Sequence, residues 1–151
     1  VSGFSMGGFG ALKYTAKYHG HFASVSCHSG PADLRGKDGS TITHWANLSS
    51  MAELGGRMVY GAPWDEARVS ADNPMEHIES YRGKRIFLTC GTDTVDLNER
   101  HVLPTQRTFA GALQAAGIPH EHHEDAGGHL VRPERMQQDI DGVVAHLTKA
   151  G

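Results

Sequence analysis

Near the start of the chain, Gly3-Phe4-Ser5-Met6-Gly7 fits the pattern G-x-S-x-G, and Gly8 follows. A serine hydroxyl is a weak nucleophile until a base takes its proton and the backbone holds it clear for attack. The pattern addresses the second need. It presents serine on a very sharp strand-to-helix turn, with glycine two residues before and two after because side chains there would collide with the neighbouring strand and helix. A helix N-terminus beneath the serine favours negative charge such as a tetrahedral oxyanion. The backbone N–H of Met6, directly after Ser5, is the expected oxyanion donor. A phosphate-binding loop competes for the same glycines, because Gly8-Phe9-Gly10 opens G-x-G-x-x-G. The position of its last glycine is Lys13, however, and no G-K-[ST] follows, so both nucleotide signatures fail.

A serine on such a turn takes its partners from further along the chain, in the order Ser, Asp/Glu, His. Asp93 follows the apolar run Arg85–Cys90 and is placed as an acid would be, to accept the imidazole N–H and fix its tautomer. Asp96 lies three residues on and is the alternative acid. His129 ends the run Gly127-Gly128-His129 after the last strand, where flanking glycines let a loop carry one imidazole over the serine as general base. His28 and His44 are further histidines that could lie near the site.

The 11 histidines raise the question of a metal. His120, His122 and His123 lie in His-Glu-His-His-Glu, but alternate strand residues point to opposite faces, so only His120 and His122 share a side. An edge strand with polar side chains is the better reading, and neither a metal nor a cofactor is expected.

These residues need elements to hold them. Helices are expected over Phe9–His19, Pro104–Ala116 and from Pro133 on, the last with an apolar stripe of Met136, Ile140, Val143, Val144 and Leu147 facing the core. Strands are expected at Phe22–Cys27, Arg85–Cys90 and Ile118–Glu124, the last polar enough for a sheet edge. Residues 32–81 read as irregular, with short helices and loops lying over one end of a sheet. Cys27 and Cys90 end strands that should lie side by side, as buried thiols. The alternation of strand and helix predicts an α/β fold, a mostly parallel sheet with helices on both faces.

The bulk composition agrees with one globular unit. The net charge of −3 over 151 residues offers no attraction for nucleic acid or an anionic membrane. No apolar run approaches the roughly 20 residues a membrane-spanning helix needs. Cys27 and Cys90 form no disulfide framework and lean toward a reducing, cytoplasmic setting. The chain opens at a strand end with no Met, which reads as a segment of a longer protein.

Together the run Gly3–Leu12, Ser29-Gly30, Tyr60-Gly61 with Trp64, Asn73-Pro74, Cys90-Gly91-Thr92-Asp93 and Gly127-Gly128-His129 resembles an esterase family of the α/β hydrolases. That family includes S-formylglutathione hydrolase (esterase D), tributyrin-type esterases, feruloyl esterase modules and mycolyltransferases. The resemblance covers essentially the whole chain. It implies an α/β-hydrolase fold lacking its N-terminal strands, with residues 1–151 as the C-terminal part of a single domain. It implies a small-molecule acyl ester or thioester substrate, short unbranched acyl groups, and hydrolysis through an acyl-serine. Acyl transfer by the same residues, or a degenerate non-catalytic binding member, are the alternatives. The family aspartate usually stands three residues after the strand-ending glycine, which here is Thr94, so Asp93 and Asp96 both stay open. The second oxyanion donor comes from an upstream loop in such proteins. The segment alone is therefore expected to be inactive, and aggregation-prone at its sheet edge beside Val1.

Overall fold

The computed structural model describes residues 1–35, 59–61 and 63–149. In chain order the elements are β1 (Ser2–Phe4), α1 (Met6–Lys17), β2 (Ser24–His28), α2 (Glu66–Asp72), a 3₁₀ segment (Pro74–Tyr81), β3 (Arg85–Gly91), α3 (Glu99–Ala115), β4 (Glu121–Asp125) and α4 (Pro133–Lys149). The strands pair in parallel in the order β1-β2-β3-β4. Parallel neighbours need a crossover, and α1 and α3 supply two of them. Much of the stretch read as irregular, His44 and Trp45 included, lies outside the described residues; its described part holds α2 and the 3₁₀ segment.

Strand alternation divides the side chains between two unlike faces. One face is apolar. Val25, Cys27, Ile86 and Leu88 pack with Ala11 and Leu12 of α1 and with Phe109 and Leu113 of α3 in one buried cluster. Each fully buried Leu or Phe there stabilises the fold by roughly 1.5–3 kcal/mol. Tyr81 closes the cluster, its hydroxyl donating to the Leu12 carbonyl at 2.9 Å and its ring edge-on to Phe109.

The other face is polar, and α4 covers it. Asp139 of α4 is 3% exposed and accepts from Ser26 Oγ at 2.6 Å and Arg85 Nη1 at 2.6 Å, with His28 Nε2 at 3.1 Å. His28 Nδ1 meets Thr89 Oγ1 at 3.2 Å, so the layer spans two strands. Gly142, one turn along α4, leaves room for the guanidinium: a Cβ there would lie 2.4 Å from Arg85 Nη2. This corrects the reading of the last helix. Its sheet-facing side centres on Asp139, while Ile140, Val144 and Leu147 are exposed.

Burial pushes the Asp139 carboxyl up, but hydrogen bonds from His28, Ser26 and Arg85 outweigh it and hold the group at about 2. A carboxyl held below its ordinary value of 3.8 contributes stability that is fully present above that value. The contribution is lost as pH falls from there toward about 2. Asp139→Ala removes the nearer of the two carboxylates on Arg85, leaving the guanidinium with Glu121 at 3.8 Å, and should destabilise the fold by about 3–5 kcal/mol. Thermal melts of the full-length protein at pH 7 and pH 3 check both points, since the gap between wild type and variant should narrow at the lower pH.

Helix starts also differ from expectation. α1 begins at Met6 rather than Phe9, directly after the serine. α3 begins at Glu99, five residues before Pro104, which lies inside it. The start of α3 is fixed by Asp96, whose Oδ1 accepts the amides of Asn98 at 2.8 Å and Glu99 at 3.1 Å.

Candidate active site

Ser5 stands between β1 and α1 with φ 55° and ψ −122°, a left-handed conformation that a residue with a Cβ rarely adopts. Such a backbone costs about 1–3 kcal/mol and persists only where the surroundings enforce it. Here the Ser5 amide donates to the His28 carbonyl at 2.8 Å, and the Ser5 carbonyl accepts from Gly8 at 2.9 Å and Phe9 at 3.2 Å. Sheet and helix thus hold the turn from both sides.

The glycines around it divide unevenly. A Cβ on Gly3 would lie 2.2 Å from the Gly7 carbonyl oxygen, and one on Gly8 would lie 2.8 Å from Cys27 Sγ. A Cβ on Gly30 would meet the Ser5 carbonyl oxygen at 2.7 Å. A Cβ on Gly7 would meet no described atom within 4 Å. The steric demand expected on both flanks of the serine therefore falls on Gly3, Gly8 and Gly30. Gly7→Ala should fold normally, with up to about 1 kcal/mol gained in helix propensity. Gly3→Ala should fail to give soluble folded protein. Expression and thermal melting of the two variants check this.

The structure brings His129 to Ser5. His129 Nε2 lies 2.8 Å from Ser5 Oγ. The Phe4 ring, one residue before the serine, packs against the imidazole with centroids 4.8 Å apart. His129 Nδ1 lies 3.0 Å from Glu99 Oε1. Glu99 is fully buried in the first turn of α3, and its Oε2 accepts the amide of Gly91, at the end of β3, at 2.9 Å. A carboxylate on Nδ1 selects the tautomer with the proton there, leaving Nε2 to accept from the serine hydroxyl.

Neither aspartate read from the sequence touches the imidazole. Asp93 is exposed, and its Oδ1 accepts the Val95 amide at 2.9 Å in a local turn. Asp96 Oδ2 accepts the backbone amide of His129, not its ring, at 3.0 Å. The His129 amide, with those of Glu99 and Asn98, holds the Asp96 carboxyl below its ordinary value against the effect of burial. The carboxylate on the imidazole is that of Glu99, which sequence reading missed.

Met6 begins α1, and the first amides of a helix have no intrahelical acceptor, so its N–H is available beside Ser5. His28 reaches the site only through its backbone carbonyl; its ring belongs to the Asp139 layer. Cys27 and Cys90 are buried free thiols on neighbouring strands, and burial pushes both up to about 12, which leaves them unreactive. His122 contacts Cys90 Sγ at 3.8 Å, and His123 contacts Glu121 at 3.4 Å. Among the described residues no helix is long and apolar enough to cross a membrane.

Known proteins resemble this chain in sequence and in fold. The family model described as "Putative esterase" matches residues 1–145. Esterase Rv1288 and Esterase MT1326, from two strains of Mycobacterium tuberculosis, are each 60% identical over 158 aligned positions. The match takes in 99% of this chain but only 34% of each relative, so the chain spans about a third of their length. Among solved structures, a ferulic acid esterase superposes with a TM-score of 0.56 at 24% identity, over 92% of this chain and 46% of that one. An acylaminoacyl peptidase from Pyrococcus horikoshii superposes with a TM-score of 0.62 at 18% identity, over 91% of this chain and 22% of that one. At those identities the two structures speak for the fold alone. The parallel sheet, the strained serine turn and the family match lead to one conclusion: the chain has part of an α/β-hydrolase fold and belongs to this esterase family.

Proposed function

We propose that this chain carries the catalytic residues of a serine-dependent carboxylic ester or thioester hydrolase. Ser5 is the nucleophile, His129 the general base and acid, Glu99 the carboxylate that orients the imidazole, and the Met6 amide one oxyanion donor. The observation that carries this reading is the relay from Ser5 Oγ through His129 to a buried Glu99, with steps of 2.8 Å and 3.0 Å.

Its chemistry follows from the geometry. As Ser5 Oγ attacks the ester carbonyl carbon, its proton passes to His129 Nε2, and Glu99 stabilises the imidazolium. The carbonyl oxygen becomes an oxyanion beside the Met6 N–H and the N-terminus of α1. Collapse breaks the bond to the alcohol or thiol, which leaves with the proton from Nε2. Water then gives a proton to His129 and attacks the acyl-serine. Release of the acid returns the proton to Ser5. The nucleophile, base, orienting carboxylate and first oxyanion donor all belong to this chain, and a second oxyanion donor is expected from an upstream loop.

A non-catalytic binding member would fit a chain with no acid at the usual loop position, Thr94; the buried Glu99 on the imidazole speaks against it. Acyl transfer to an alcohol uses the same residues and differs only in what enters at the second step.

Pre-steady-state hydrolysis of p-nitrophenyl butyrate by the full-length protein tests the proposal. An initial burst of about one nitrophenolate per active site supports an acyl-enzyme. Added glycerol that diverts the acyl group into a glyceride would turn the assignment toward transfer. Absence of any Ser5-dependent turnover of esters or thioesters would overturn it.

A further inference from the structure

Asp96 stands at the point where the two halves of the proposed relay meet. Its carboxylate is shared between them. Oδ1 accepts the amides of Asn98 at 2.8 Å and Glu99 at 3.1 Å, where α3 begins. Oδ2 accepts the amide of His129 at 3.0 Å, across 33 residues of sequence. One side chain therefore bonds the backbone of the carboxylate residue and the backbone of the base. Both bonds are charge-assisted, because the acceptor is a carboxylate.

The histidine loop is held from a second side as well. Arg132 Nη2 donates to the Gly128 carbonyl at 3.0 Å, and Nη1 donates to the Leu130 carbonyl at 3.1 Å. The carbonyls flanking His129 are thus tied by Arg132, and the amide of His129 itself by Asp96. Gly128 makes the approach possible, since a Cβ there would lie 2.6 Å from Asp96 Oδ2.

From this arrangement we infer that Asp96 is a positioning residue for the reaction. It fixes the spacing between Glu99 and His129, and so the aim of the imidazole at Ser5, without touching substrate or reacting atoms. The inference rests on the roles proposed above for Ser5, His129 and Glu99. A displacement of about 1 Å in such a relay can cost on the order of 10²-fold in rate.

Asparagine separates this role from a helix cap. It has one side-chain oxygen. Placed as Oδ1, that oxygen still caps α3, while the amide nitrogen then faces the His129 N–H and cannot accept from it. In the full-length protein, Asp96→Asn should lower kcat for p-nitrophenyl butyrate by about 10- to 100-fold. KM should stay within about twofold, because uniform binding is untouched. Asp65→Ala is the control for a purely structural cap. Asp65 Oδ1 accepts the Arg68 amide at the start of α2, and its loss should lower the melting temperature while leaving kcat unchanged.

Gly128→Ala, which pushes Asp96 off the His129 amide while keeping the carboxylate, should reproduce the fall in kcat, and it stands in if Asp96→Asn does not fold. Ser5→Ala in the same assay reports on the underlying reading. If Ser5→Ala retains turnover, that reading and this inference fall together. If Ser5→Ala is inactive while Asp96→Asn and Gly128→Ala keep wild-type kcat, this inference alone is overturned.

Discussion

Exchange of Ser5 for alanine should lower kcat of the full-length protein by about a millionfold, and exchange of His129 for alanine should cost about the same. The double variant should be no worse than either single one. With Nε2 2.8 Å from Oγ, the proposed reaction takes the hydroxyl proton through this imidazole, so neither side chain should contribute without the other. What remains in all three variants is the modest contribution of substrate binding and the oxyanion donors around Met6. Steady-state kinetics on the three variants check this. Additive losses would mean that the serine and histidine do not share a step.

Glu99→Gln should have the second large effect, a fall in kcat of about 10⁴-fold with the fold preserved. The carboxylate has two oxygens in use, one on His129 Nδ1 at 3.0 Å and one on the Gly91 amide at 2.9 Å. Both partners are donors when His129 holds its proton on Nδ1. Glutamine offers one acceptor and one donor, so it can satisfy only one of them. If its oxygen stays on the Gly91 amide, its NH₂ meets Nδ1 and favours the tautomer with the proton on Nε2, which cannot take a proton from Ser5. The imidazolium of the transition state also loses its buried counter-charge. Asp93→Asn, by contrast, alters an exposed turn and should leave kcat within about twofold. Circular dichroism and kcat/KM for both variants separate the two aspartate and glutamate readings; sensitivity at Asp93 with tolerance at Glu99 would reverse the assignment.

The serine and the histidine were legible because each sits in a local pattern with a steric cause. Ser5 needs the tight turn that Gly3, Gly8 and Gly30 permit, and His129 needs a loop that turns at Gly127 with φ 103° and passes close to Asp96 at Gly128 and close to Gly91. The carboxylate was not legible in the same way. A loop aspartate directly after β3 is the usual supplier, and Asp93 and Asp96 both fit that description. Here the group comes from a helix, and the longer glutamate side chain spans the gap from the first turn of α3.

A sequence signal for it did exist. Asp96-Leu97-Asn98-Glu99 has the spacing of a helix N-terminus, an oxygen-bearing cap followed three residues later by glutamate. Reading Pro104 as the helix start, because proline favours that position, hid the first turn and Glu99 with it. The last helix shows a different limit. Its apolar residues recur at helical spacing, but periodicity cannot register that a carboxylate, Asp139, is the group turned toward the sheet. That choice depends on Ser26, His28 and Arg85 from two other strands. The parallel sheet and the helices on both faces were anticipated by the alternation of strand and helix patterns, and the adjacency of β2 and β3 by the placing of Cys27 and Cys90 side by side.

The most direct test of the account is fluorophosphonate labelling of the full-length protein, with the adduct located by peptide mapping in a mass spectrometer. The account predicts a single phosphonyl adduct on Ser5 that disappears in Ser5→Ala and forms far more slowly in His129→Ala and Glu99→Gln. A folded protein that takes no label, or takes it on a residue other than Ser5, would contradict the central claim that this serine is the activated nucleophile.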